Sequence, residues 1–142
     1  MTQPFRSLTV LSFGLLAASL CTAQISPQSN LPLFASKPIM ISPLTGDEQR
    51  QMVLISVAIQ PTGAVPFHTH QGDCVGTVVE GIVELLVDGQ PPKRVIAGET
   101  YSNLRGTIHG FRNIGESPAK LLNSLVVDKG VPFVIPAVPT SK

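Results

Sequence analysis

Beyond Gln51 the chain alternates. In Met52 to Ile59 the β-branched residues Val53, Ile55, Val57 and Ile59 fall at every second position, so they share one face of an extended strand that ends at Pro61-Thr62-Gly63. Further strands are predicted at Val75 to Glu80, Ile82 to Val87, Lys93 to Ile96, Thr100 to Asn103, Thr107 to Arg112 and Ala119 to Val127. Between them stand the turn signals Asp88-Gly89, Ala97-Gly98-Glu99, Leu104-Arg105-Gly106 and the run from Asn113 to Pro118. No amphipathic helix of ordinary length interrupts the series. Short strands at such even spacing predict an all-β fold, a sandwich or a closed barrel, over residues 51–130.

The flanks follow different rules. Residues 1–23 pair a short segment carrying Arg6 with an apolar run from Leu8 to Leu20 and end in Cys21-Thr22-Ala23, the layout of a secretory signal peptide cut between Ala23 and Gln24. The apolar run is short for a bilayer. Lipidation at Cys21 is an alternative, although Leu20 is a poor residue before a lipidated cysteine; a retained N-terminal anchor is a third. From 24 to 50, Pro27, Pro32, Pro38 and Pro43 oppose helix and central strand, so this segment reads as an extended arm with one short strand at Pro38 to Ser42. Residues 131–142 form a Pro-rich apolar tail suited to a barrel edge or a partner subunit.

Processing at Ala23 changes the charge. Ten basic residues less Arg6 leave nine against nine acidic ones, a formally neutral chain. It has no basic face for nucleic acid, no polybasic stretch for anionic lipid and no stable membrane span after processing. The expected location is secreted or periplasmic. Cys74 is then the single cysteine in an oxidising compartment: a buried thiol, a metal ligand or an intermolecular link.

The chemistry concentrates in three histidines. His68 and His70 are separated by one residue, so on a strand both rings project from one face, and His109 lies far along the chain with Thr107 and Phe111 on its own face. Three imidazoles converging from two strands make a partial coordination sphere for one divalent transition metal, with positions left open for a ligand.

These residues resemble the cupin family. The stretch from Gly63 through His68-Thr69-His70 to Cys74 and Gly81 is similar to its first motif, and the stretch from Gly98 through Gly106 and His109 to Asn113 is similar to its second. The resemblance implies a double-stranded β-helix, a small jelly-roll barrel with the metal inside, and commonly pairing into a homodimer. Two positions depart from the pattern. Leu104 stands where the second motif has proline, and Cys74 stands where the first has glutamate, a metal ligand in many cupins. Three roles for Cys74 follow: a thiolate ligand favouring zinc, copper or iron over manganese, a neutral thiol beside a fully charged ion, or packing in a metal-free barrel. The thiol dioxygenases, a cupin branch, share three histidines and a nearby cysteine, but Tyr101 precedes the third histidine here rather than following it.

Two functional classes fit these expectations. One is a metal-dependent oxidoreductase of dioxygenase type, or an isomerase or lyase, acting on a small molecule; the other is a non-catalytic protein that binds a metal or small ligand for sensing, scavenging or storage. Strand parity places Gly76, Val78, Thr107 and Phe111 beside the histidines, without an obvious proton-transfer group. Asp73 and Glu80 read as turn or solvent-face residues. Arg105 and Arg112 are candidates for steering an acidic ligand, with Arg112 on the face opposite His109.

Overall fold

The structure, a computed structural model, describes residues 32–140. The predicted signal segment, its cleavage site and Cys21 lie outside the described residues. The described residues form ten strands: β1 (Phe34–Leu44), β2 (Asp47–Ile59), β3 (Ala64–Thr69), β4 (Gly72–Glu80), β5 (Ile82–Val87), β6 (Lys93–Ile96), β7 (Thr100–Asn103), β8 (His109–Asn113), β9 (Ala119–Asp128) and β10 (Ile135–Pro136). No helix occurs among the described residues.

Two five-stranded antiparallel sheets run β1-β2-β9-β4-β7 and β10-β3-β8-β5-β6. After β2 the chain crosses to the opposite sheet at every connection except the β5–β6 hairpin, which is the winding of a jelly roll. The alternation read from the sequence sets which face closes the barrel. Val53, Ile55, Val57 and Ile59 are buried in one core cluster with Leu121, Leu125 and Val127 of β9 and Val78 of β4 from their own sheet, and Val83, Leu85 and Phe111 from the other. Each such side chain stabilises the fold by about 1.5–3 kcal/mol relative to exposure.

Residues 34–50, expected as an arm with one short strand, instead form an eleven-residue strand and the first part of β2, joined at Thr45-Gly46. Their prolines mislead because β1 is an edge strand. The register with β2 shifts between Pro38 and Met40 and again between Pro43 and Leu44, so the irregularities fall beside the prolines, where a missing N–H is tolerated. At the other end, the tail lies along a barrel edge: β10 pairs with β3, Ile135 opposite Thr69 and Pro136 opposite His68. Gly81 carries the chain from β4 to β5 at φ +84°, and a Cβ there would lie 2.9 Å from the Ala119 Cα, so both backbone angle and space require glycine.

Candidate metal centre

His68 sits near the end of β3, His70 just beyond it, and His109 at the start of β8, which is the direct neighbour of β3. His68 and His109 are register partners across that pair. All three are buried, with ring centroids 4.3 to 5.1 Å apart, and one nitrogen from each lies within 4.8 Å of the other two. Every ring is held from behind. His68 Nδ1 donates to the Pro66 carbonyl at 2.8 Å, His109 Nδ1 to the Thr107 carbonyl at 3.0 Å, and His70 Nδ1 to the Phe133 carbonyl at 2.5 Å. A carbonyl can only accept, so each Nδ1 carries the proton and each Nε2 presents a lone pair.

Burial keeps these rings neutral. It lowers the pKa of all three, that of His109 to about 4, with mutual repulsion among the rings adding to the effect at His70 and His109. Neutral imidazoles with one fixed tautomer are the protonation state that coordination needs, so the residues present fit a divalent transition metal.

Cys74 lies apart from this trio. It is buried on β4 and belongs to the lining of the same cavity, but the cluster of convergent ligand atoms consists of the three histidines. Its sulfur faces Asn123 Oδ1 at 3.8 Å, and burial pushes its pKa up to about 12, which keeps the thiol protonated at neutral pH in the metal-free protein.

The histidines open onto a cavity of about 220 Å³ walled by residues from both sheets, Ile55, Val57, Leu121 and Leu125 from one and Val65 and Phe111 from the other. Phe34 and Ser36 on β1 and Val134 and Pro136 near the C-terminus complete its rim. Among the described residues, no Asp, Glu, Lys or Arg lines it. The polar groups are the imidazoles, the thiol, Ser36 and the Asn123 amide. Asn123 was not read from the sequence as a site residue, although its place in the alternation of β9, between the inward Leu121 and Leu125, was a usable signal. Phe34 and Ser36 were hidden by the prolines of β1.

Of the four residues expected by parity beside the histidines, Phe111 lines the cavity, its ring 6.0 Å from that of His109. Thr107 contributes only its carbonyl to His109, Val78 is core, and Gly76 packs against Tyr101 and Asn123. The expected anion-steering arginines are engaged elsewhere. Arg105 forms a two-pronged pair with Asp128 at 2.8 and 2.9 Å, and Arg112 pairs with Glu84. Asp73 accepts from the Arg105 main-chain N–H, and Glu80 pairs with Lys120, all at the surface. Asn113 is a clamp: its amide nitrogen donates to the Ile59 and Ser117 carbonyls and its oxygen accepts from Gly115.

A family model described as a cupin domain matches residues 55–128. Among curated proteins, the HTH-type transcriptional regulator PuuR of Escherichia coli (strain K12) is 30% identical over 80 residues, 56% of this chain and 43% of the regulator. The chain thus spans less than half the length of the curated relatives it matches. Among solved structures, a recombinant oxalate oxidase in complex with glycolate superposes with a TM-score of 0.61 at 22% identity, covering 76% of this chain and 57% of that one. DMSP lyase DddQ from Ruegeria pomeroyi DSS-3 gives 0.61 at 20% identity, covering 77% and 54%. At these identities the likeness is one of fold.

Proposed function

This chain belongs to the cupin family, and from that premise we propose that it holds one divalent transition metal on His68, His70 and His109 and presents it to a small organic molecule in the barrel. The observation that carries the reading is the triple Nδ1–carbonyl anchoring, which commits every imidazole to the tautomer that coordinates. Held there by His68, His70 and His109, iron, zinc, copper or manganese would supply Lewis acidity and, for all but zinc, a redox centre. The rest is work for the chain. Apolar walls exclude water, and Cys74, standing where many cupins have a carboxylate, would as a neutral thiol leave the ion's charge uncompensated and favour an anionic ligand.

The enzymatic form of this proposal is a metal-dependent oxidoreductase of dioxygenase type. The binding form, a protein that senses or carries its ligand, is favoured because none of the described residues brings a carboxylate or amine to the cavity wall to move protons, and is supported by the regulator among the relatives. Metal analysis of protein from its native compartment separates them: bound iron supports oxygen chemistry, and a metal-free protein argues against catalysis. Export belongs to the same proposal. The mature protein is expected to begin at Gln24 outside the cytoplasm, and an intact mass that retains Met1 in the cytoplasm refutes this.

The metal centre is tested by substitution. His68→Ala, His70→Ala and His109→Ala should each lower metal content strongly, while Thr69→Ala should not. Cobalt-loaded wild type should lack a sulfur-to-metal charge-transfer band, since Cys74 stands outside the trio. Wild-type metal content in all three histidine variants would end the shared-site model.

A further inference from the structure

Across the β2-β9-β4-β7 sheet, Ile55, Asn123, Gly76 and Tyr101 are successive register partners in one inward-facing row. Tyr101 and Asn123 are two strands apart, with Gly76 between them. The missing side chain at Gly76 lets the phenol reach across the gap, and its hydroxyl donates to Asn123 Oδ1 at 2.7 Å. A Cβ on Gly76 would lie 2.3 Å from that oxygen and 2.5 Å from Cε2 and Cζ of Tyr101. The Cys74 thiol approaches the same oxygen.

Two donors therefore fix which way the amide faces. Burial raises the pKa of both the phenol and the thiol, so both keep their protons, and the group they address must be the carbonyl end of the carboxamide. The nitrogen end is left over. Among the described residues no protein group accepts from Asn123 Nδ2, and it is not among the atoms sealed into the packing, while Asn123 lines the cavity into which the histidines open.

We infer that Asn123 anchors the ligand: its carboxamide nitrogen, turned into the cavity by Tyr101, donates to an oxygen of the bound molecule and selects a small organic acid with an apolar body. This rests on the metal-binding reading for the other end of the ligand. The apolar walls take the body, and a carboxylate satisfies both the cation and the amide donor. Tyr101 is a positioning residue that acts through Asn123, and Gly76 gives it passage.

The chain has one tyrosine and no tryptophan, so Tyr101 emission reports directly on this site. Benzoate and toluene serve as probes of the same body with and without the acid, titrated into the full cobalt-loaded protein. Asn123→Leu should keep wild-type cobalt stoichiometry and toluene binding but weaken benzoate about tenfold or more. Asn123→Asp, of nearly the same size, should weaken benzoate further, because a cavity filler responds to volume and an anchor to the sign of the group. Tyr101→Phe, followed by calorimetry, should lose part of the benzoate affinity with cobalt retained. Unchanged benzoate affinity in both Asn123 variants with cobalt in place overturns the inference, as does a cobalt-loaded wild type that does not prefer benzoate to toluene. If wild type takes up no cobalt yet Asn123→Leu still weakens benzoate, the metal reading fails and the role of Asn123 stands.

Discussion

A histidine whose Nδ1 donates to a main-chain carbonyl has its tautomer chosen by the fold, and here the choice is made three times. Neutrality has a consequence for stability. The folded protein holds these rings below their usual pKa of 6.5, that of His109 at about 4, whereas the unfolded chain protonates them near 6.5. Their contribution is present above pH 6.5 and is lost as pH falls toward 4, because the unfolded state then binds protons the folded state refuses. For His109 the full shift corresponds to about 3 kcal/mol. Denaturant melts of the metal-free protein should show stability falling through this window, and His109→Gln should flatten the fall; a pH-independent midpoint would contradict this assignment.

The elements depend on one another in ways that chain order conceals. His70 lies beyond the end of β3, and its ring is held by Phe133, sixty-three residues later, in the segment leading to β10. That segment is tied down further by Ala137 N–H donating to the Phe67 carbonyl at 3.1 Å and by Thr140 donating to Asp88 through its main chain and hydroxyl. A chain ending at Gly130 should keep its sheets, since β2, β9 and β4 carry the core, but should bind metal about 10- to 100-fold more weakly because His70 loses its anchor. Circular dichroism and a competitive chelator titration measure the two halves of this expectation. Equal metal affinity in the shortened chain would show that Phe133 does not orient His70.

On the scale of the molecule, β1 is an edge strand exposed along most of its length, with Ile39, Met40 and Ile41 open to solvent. An edge that no other described strand covers and that carries apolar side chains is a template for a second copy, and Lys37, Pro38 and Pro43 limit rather than abolish it. A homodimer through this edge is expected. Light scattering should return a dimer that survives reducing agent, because Cys74 is 2% exposed and cannot bridge subunits, and Ile41→Glu should shift the population toward monomer. A monomer at all concentrations would count against the edge as an interface.

Much of this protein is local physics and is therefore legible in order along the chain. Strands β5, β6 and β7 have the bounds their alternation and turn residues predict, and β4 and β9 extend theirs by one to three residues. The face shared by His68 and His70 follows from the two-residue period, and their company with His109 from a motif resemblance. What remained was decided by partners distant in sequence. A proline-bearing segment becomes strand β1 because an edge tolerates the missing donors, which depends on sheet order and not on the segment itself. Asn123 enters the site because antiparallel register sets it beside Gly76 and, beyond that, Tyr101. The position of Cys74 suggests a ligand by analogy; the fold adds that its sulfur lines the same cavity as the three imidazoles and lies 3.8 Å from Asn123 Oδ1. Alternation along one strand says which side chains point inward; which of them meet is settled only when the strands take their order, because that alone fixes distance across the barrel.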